Sequence, residues 1–347
     1  MSNFKTLQSK LDALIPMPSD LPVVYLLGDT GAGKTCFVRQ LLGTTEESFP
    51  SVRRFRTTVA PTEFIITSEI NLKAAFVFKT EDEIGQLVHE TLEKAITDGL
   101  TGTKSSTDTA QMADLLNESP DQRFRLRCFL NEGARLDLAT RIQAVLIPSI
   151  RSWAESNFPG ETDTSTVLDL AITESDEIRK NVEGFRSEIM ARILLRICEV
   201  CGAQAGARLP GHHILSNPDR KAFISKLKDF LSLDEGSISP ALEKARVRGN
   251  LKSAVIPAAL QLVVTDGEGI GHDARESKVL SARHLDYFYA SDAIVLVEDA
   301  ETPFTRGGKG VLSSIAIMDT CRSFRSPFHA LIVFRPNARD ASIKFGK

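Results

Sequence analysis

Eight consecutive residues, Gly28 to Thr35, have the types and spacing of a phosphate-binding loop. The segment reads G-D-T-G-A-G-K-T and fits the pattern G-x-x-x-x-G-K-[ST]. The glycines let the backbone curl so that its N–H groups face a phosphate, the lysine reaches the β- and γ-phosphates, and the last hydroxyl binds Mg²⁺. The loop therefore predicts a nucleotide site. Its expected nucleotide contacts are Gly28, Asp29, Thr30, Gly31, Ala32, Gly33, Lys34, Thr35 and Cys36.

A carboxylate that could complete the Mg²⁺ site ends a second apolar segment. Val263-Val264-Thr265-Asp266 has the form of a buried strand with a terminal acid, which phosphate-loop nucleotidases place beside the metal. Asp266 to Gly269 also fits D-x-x-G, so we expect the N–H of Gly269 to contact the γ-phosphate. Asp82 to Gly85 fits the same pattern but opens a helical segment, where acidic residues act as caps. We therefore favour Asp266.

A threonine between these two segments is the third expected part of the site. A hydroxyl ahead of a strand can join the Mg²⁺ shell when a γ-phosphate is present. Thr58 is the first choice and Thr57 the second, because both precede the apolar segment 62–67. The expected metal ligands are Thr35, Thr58 and Asp266. The expected catalytic residues are Lys34, Thr58 and Gly269.

The segments that flank the loop have the patterns that would position it. Residues 21–27 form an apolar, β-rich run, and residues 36–42 have helical spacing that stops at Gly43, a natural C-cap. Residues 62–67 and 72–79 predict two further strands. The short link between them favours an antiparallel hairpin.

The remainder of the chain predicts an α/β protein with a helical insertion. Apolar strands at 260–265, 293–297 and 330–334 alternate with helical segments, which is typical of a sheet covered on both faces. The predicted fold is a P-loop NTPase sheet of the G-domain type. Residues 81–253 have mostly helical spacing and predict a large all-α insertion. The α/β domain is therefore expected to comprise 21–80 and 254–347, after an N-terminal helix and linker at 1–20.

Composition excludes several other classes of protein. The 347 residues carry a net charge of −3 with both signs mixed, which gives no argument for nucleic-acid binding. The sequence shows no signal peptide and no transmembrane segment, so a cytoplasmic location is expected. The five cysteines are odd in number and scattered, which argues against a disulfide framework.

The order of these segments resembles that of dynamin-type GTPases, and most closely the members with a long insertion before the D-x-x-G strand. The matching segments are 28–35, 57–64, 266–269 and 292–300. The resemblance implies GTP binding, slow Mg²⁺-dependent hydrolysis, and dimerisation across the nucleotide face. It also implies a switch or assembly role, with a protein partner or self-association through that face or the helical insertion.

Two positions differ from the GTPase pattern. Ile270 follows Gly269, where small GTPases have a glutamine that orients the attacking water. Asn337 and Asp340 fit the N-x-x-D motif that contacts guanine, but the usual lysine is missing. Because the phosphate contacts of ATP and GTP are identical, ATP stays an alternative to GTP. A nucleotide-binding interaction module with little turnover is a second hypothesis, and a P-loop ATPase is a third.

Overall fold

The structure is a computed structural model, and it divides into two compact units. Unit 1 comprises Met1–Val77, His212–Ser232 and Glu243–Lys347, and unit 2 comprises Phe78–Gly211 and Leu233–Leu242. The described residues are 3–29, 31–45, 47, 49–50, 60–101, 112–114, 116–117, 124–160, 163–204, 208–254, 256–257, 259–267, 269, 282–299 and 328–333.

The regular elements are numbered along the chain. The helices are α1 (Asn3–Leu14), α2 (Lys34–Leu42), α3 (Glu81–Thr101), α4 (Glu132–Arg141), α5 (Ile147–Asn157), α6 (Thr164–Glu174), α7 (Asp176–Cys201), α8 (Arg220–Leu231) and α9 (Ala282–Tyr289). The strands are β1 (Val23–Leu27), β2 (Thr62–Ile66), β3 (Leu72–Phe78), β4 (His212–Asn217), β5 (Leu242–Gly249), β6 (Leu262–Asp266), β7 (Ala293–Asp299) and β8 (Phe328–Val333). One π-helical turn (Ile142–Leu146) joins α4 to α5.

Unit 1 is built on a mixed sheet with the strand order β4-β3-β5-β2-β6-β1-β7-β8. β1 pairs in parallel with both β6 and β7, and β7 pairs in parallel with β8. The carboxyl ends of these strands therefore lie at one edge of the sheet. β2 runs antiparallel to β6 and parallel to β5. This agrees with the predicted α/β class.

One face of the sheet is covered by α1 and α9. Leu11 of α1 is fully buried and packs with Val77 and Val263 of the sheet. Tyr287 of α9 packs against Tyr25 of β1 in a neighbouring cluster. The helix expected within residues 1–20 is present as α1. It belongs to unit 1, because its apolar side covers the sheet.

The opposite face carries α2 and α8. Phe76 stacks on Phe230 of α8 with ring centroids 4.0 Å apart. Val77, the next residue of β3, packs on the α1 side. Successive side chains of a strand point to opposite faces, so α8 and α1 lie on different sides. Among the buried residues of α2 are Lys34, Thr35 and Val38.

Two sequence predictions about the strands are wrong. β2 and β3 do not form a hairpin, because β5 lies between them in the sheet. Residues 240–250 lie in the segment 81–253 that was expected to be helical, but β5 occupies most of this range. The predicted helical insertion, 81–253, also contains β4. The α/β part therefore includes segments that the sequence pattern assigned to the insertion.

Among the described residues of unit 2, the regular elements of three residues or more are helices. The ends of two strands, at Phe78 and Leu242, also belong to this unit. Its longest helix, α7, buries apolar side chains at three- and four-residue spacing: Ile178, Val182, Phe185, Ile189, Ile193 and Ile197. Within this unit α7 packs against α3 and α6. Side-chain caps start several of the helices: Asn131 for α4, Asp163 for α6 and Ser175 for α7. Unit 2 thus has the periodicity that the sequence predicted.

Candidate functional site

The glycine-rich loop joins β1 to α2 at the carboxyl edge of the sheet. α2 begins at Lys34, and its N-cap is Gly33, which has a φ of 110° and supplies no side-chain cap. The helix ends at Gly43, whose N–H donates to carbonyl oxygens of the last turn. The start of α2 therefore presents backbone N–H groups and the positive end of the helix dipole to the loop.

Gly28 starts the loop against the neighbouring strand β7. A Cβ atom at this position would lie 2.1 Å from the carbonyl oxygen of Val297, a distance that no carbon atom can occupy. The φ of Gly28 is 152°. The backbone can therefore pass this close to β7 only without a side chain.

Lys34 lies inside the curl of the loop. Its Nζ donates hydrogen bonds to the carbonyl oxygens of Gly28, at 2.8 Å, and Asp29, at 3.1 Å. The side chain is only 6% exposed. The loop backbone thus wraps around the ammonium group and fixes a positive charge at the end of β1, where the pattern predicts that phosphates bind.

Thr35 and Asp266 meet beside the loop. The Oγ1 of Thr35 donates to Oδ2 of Asp266 at 3.1 Å, and both side chains are buried. Asp266 is the last residue of β6, which pairs directly with β1, so the sheet brings its carboxylate to the start of α2. The structure therefore joins two site residues that are far apart in sequence.

The chemistry of this pair fits Mg²⁺. A hydroxyl and one carboxylate are the protein oxygens that Mg²⁺ takes when it also binds substrate phosphates and water. In the part of the chain that the structure describes, no group of three or more His, Cys, Asp or Glu side chains could hold a metal alone. A Mg²⁺ ion at Thr35 and Asp266 would thus complete its coordination with water molecules or with oxygens of a bound phosphate.

The other predicted site residues divide into two groups. Gly269 lies beyond β6 and is partly exposed, and Cys36 is half-buried in the first turn of α2. The residues that lie outside the described part of the chain are Thr30, Thr57, Thr58, Asn337 and Asp340. The sensing threonine and the base contacts therefore stay predictions.

Comparisons with known proteins identify no family for this chain. No protein-family model matches it, and no curated protein sequence matches it. Across the described residues, no helix has both the length and the apolar character that a membrane crossing requires.

The competing D-x-x-G segment, Asp82 to Gly85, has a structural role. Its Glu83 accepts a hydrogen bond from the N–H of Thr80 at 2.7 Å, and the N–H of Glu83 donates to Oγ1 of Thr80 at 3.2 Å. This reciprocal pair is a capping box at the start of α3. This agrees with the capping role expected for the acidic residues of this segment, and the assignment of Asp266 to the site stays a prediction.

A buried ionic cluster lies on the α1 side of the sheet, and the sequence analysis missed it. Glu63 of β2 contacts Lys244 Nζ at 2.6 Å and Arg246 Nε at 2.7 Å, and none of the three side chains is more than 2% exposed. Arg246 also binds Asp12 of α1 at 2.6 Å. The alternation E-K-A-R-V-R in 243–248 was the available signal, because charges at every second position can share one face of a strand.

The pKa values of the cluster reflect its burial and its charges. Burial alone would raise the pKa of Glu63, but the charges of Lys244 and Arg246 outweigh it, so this pKa lies below its ordinary value. Burial lowers the pKa of Lys244 despite the opposing charge of Glu63. The two directions are compatible because two adjacent cations stabilise the charged form of Glu63, whereas for Lys244 burial and the charge of Arg246 outweigh the attraction of Glu63 and Asp12.

Proposed function

We propose that this chain is a Mg²⁺-dependent P-loop nucleotide-binding protein that binds GTP and hydrolyses it slowly, in the manner of a dynamin-like GTPase. The observation that carries the proposal is the hydrogen bond between Thr35 and Asp266 beside the curled loop around Lys34. A hydroxyl, a carboxylate and a buried ammonium at the carboxyl edge of a sheet suit a triphosphate with its metal.

Each residue of the site has a distinct role in this proposal. Lys34 would leave its loop carbonyls to bind the β- and γ-phosphates and take up charge as the γ-phosphate departs. The backbone N–H groups at the start of α2 would hold the β-phosphate. Thr35 and Asp266 would hold Mg²⁺, which supplies charge neutralisation at the phosphates when bound. Gly269 would donate its N–H to the γ-phosphate.

The preference for GTP and the dynamin-like character are supported by the order of the sequence segments. The strand arrangement is compatible with them, since β1 lies between β6 and β7 and brings Asp266 next to the loop. The proposal also includes an assembly step, which is either dimerisation across the nucleotide face or binding of a protein partner by the helical insertion. ATP is the alternative nucleotide, because the loop contacts only phosphates.

Calorimetric titration with GTP, ATP and their non-hydrolysable analogues, with Mg²⁺, tests the proposal. We expect GTP to bind at least tenfold more tightly than ATP, about 1.4 kcal/mol. Lys34→Ala should remove binding or turnover. Lys226→Ala is the matched control, because Lys226 is an exposed lysine of the same unit. If Lys34→Ala leaves both binding and turnover intact, the site is assigned wrongly.

A second candidate function is a nucleotide-binding interaction module with little turnover. Ile270 favours it, because a branched alkyl side chain stands where small GTPases have the glutamine that orients water. In this function, nucleotide binding would order the loops around the site, and the ordered loops would allow a partner to bind without hydrolysis. Turnover at the background rate despite tight GTP binding would select this candidate over the enzyme.

A further inference from the structure

Tyr25 lies beneath the site on the opposite face of the sheet from α2. It is fully buried in β1, and its neighbours in the sheet are Thr265 of β6 and Ile294 of β7. Asp266, the next residue after Thr265, points to the other face and meets Thr35. The aromatic ring is therefore one strand away from the carboxylate of the candidate site.

The ring of Tyr25 touches the backbone that follows Asp266. A Cβ atom at Gly267 would lie 2.7 Å from Cε2 and 2.8 Å from the hydroxyl oxygen of Tyr25. Real Cβ atoms do not come so close, so the ring leaves room at this position only for a glycine. Tyr25 thus packs against the backbone of Gly267, the residue that follows Asp266.

Helix α9 holds the ring of Tyr25 in place at two points. The hydroxyl group of Tyr25 is hydrogen-bonded to Nδ1 of His284 at 2.8 Å. The ring also stacks on Tyr287, with centroids 5.2 Å apart and planes 18° apart. Tyr287 in turn meets Phe4 of α1 edge-on at 4.9 Å. A continuous row of rings therefore runs from the loop after Asp266 to α1.

We propose that Tyr25 is a positioning residue for the Asp266–Gly269 loop. In this proposal the position of the loop depends on the γ-phosphate, and Tyr25 couples that position to α9. The inference rests on the proposed function. Loops of this kind are ordered by the γ-phosphate in nucleotide switches. Because Tyr25 is fixed by His284 and Tyr287, it favours one position of the backbone at Gly267. It thereby contributes to discrimination between triphosphate and diphosphate, while Lys34 supplies the contacts that both ligands share.

The test measures the ratio of two affinities in the full chain: that for a non-hydrolysable GTP analogue and that for GDP. Tyr25→Phe removes the hydrogen bond to His284, and we expect the ratio to fall by about two- to tenfold, the value of one hydrogen bond. The affinity for GDP should stay within twofold of the wild type. Tyr289→Phe is the matched control, because this tyrosine of α9 is 63% exposed.

Variants of His284 separate positioning from general destabilisation. His284→Ala should reproduce the effect of Tyr25→Phe, and His284→Asn, which keeps a hydrogen-bonding group near Nδ1, should recover most of the ratio. Amide hydrogen exchange should show that the analogue protects residues 282–289 more than GDP does in the wild type. This difference should shrink in Tyr25→Phe.

Three outcomes would overturn the inference. Tyr25→Phe could match Tyr289→Phe, or weaken both ligands equally, or His284→Asn could behave like His284→Ala. Wild-type titrations distinguish this failure from failure of the proposed function. If the wild type binds neither ligand, the proposed function fails and takes the inference with it. If the wild type binds both ligands and Tyr25→Phe has the same ratio of affinities as the wild type, only the inference fails.

Discussion

The buried ionic cluster gives the sharpest test of how unit 1 is stabilised. Glu63→Gln changes one oxygen to an amide nitrogen and keeps the shape of the side chain. In the wild type the carboxylate accepts from Gln8 at 2.8 Å as well as contacting Lys244 and Arg246. The substitution removes the negative charge that lies between two buried cations, while it leaves the packing almost unchanged.

The expected loss of unfolding free energy depends on the contacts that Lys244 and Arg246 retain in Glu63→Gln. Arg246 retains Asp12, whereas Lys244 keeps, among the contacts of the described residues, the ring faces of Phe4 and Tyr287 at 4.8 and 4.7 Å. Removing one partner of a buried ion pair costs about 3–5 kcal/mol. Because the amide can still accept one hydrogen bond, we expect about 3 kcal/mol. At about 2–4 °C per kcal/mol, unit 1 should melt roughly 6–12 °C lower.

Urea unfolding followed by circular dichroism, with hydrogen exchange to localise the loss to unit 1, measures this cost. Asp229→Asn is the control, because it breaks an exposed pair with Lys226 and should change the unfolding free energy by less than about 0.5 kcal/mol. Adding Lys244→Met to Glu63→Gln should recover part of the loss, since the uncompensated cation is then gone. A cost below about 1 kcal/mol for Glu63→Gln would refute the reasoning.

The stabilisation by Glu63 should also depend on pH in a definite direction. The pKa of Glu63 in the folded chain lies below its ordinary value of 4.5, so the folded state favours the charged form. The contribution is therefore fully present above about pH 4.5 and is lost as the pH falls through the folded-state pKa. The difference in unfolding free energy between the wild type and Glu63→Gln should shrink over that range. A difference that is constant down to pH 3 would contradict the assigned charge.

Three further experiments test the loop and its surroundings. Gly28→Ala should lower nucleotide affinity at least tenfold in calorimetry, because its Cβ would lie 2.1 Å from the Val297 oxygen and force the loop away; unchanged affinity would show that the loop does not bind phosphate. Thr35→Ala should abolish the strengthening of GTP binding by Mg²⁺ but leave metal-free binding within twofold, which titration with and without Mg²⁺ measures. Gly267→Ala and Tyr25→Leu should be non-additive by at least about 0.5 kcal/mol in affinity for a GTP analogue, and additivity would exclude direct contact.

The loop and its flanking elements could be predicted because their signals are local. Gly33 has a left-handed backbone conformation that the local loop-to-helix pattern requires, and Gly43 ends α2 as predicted. Asp266 could be found because an apolar strand that ends in an acid is also a local pattern. The contact between Asp266 and Thr35 then follows from the pairing of β6 with β1.

The position of β5 could not be predicted because its signals are long-range. A charged strand is normally solvent-exposed, and Lys244 and Arg246 made residues 242–249 look like the surface of a helix. Their burial depends on Glu63, which belongs to β2 and lies far away in sequence. The same distance explains the wrong hairpin, since β2 takes β5 rather than the next strand along the chain as its neighbour.

The ionic cluster and the candidate site are linked through strand register. Glu63 pairs with Arg246 on one side and with Thr265 on the other, so its ion pairs form in one register of β2. A slip of one residue turns every side chain of a strand to the opposite face. Such a slip in β6 would exchange Thr265 with Asp266 and remove the carboxylate from Thr35. A buried charge that specifies the register of β2 therefore also helps to keep the acid of β6 on the side of the glycine-rich loop.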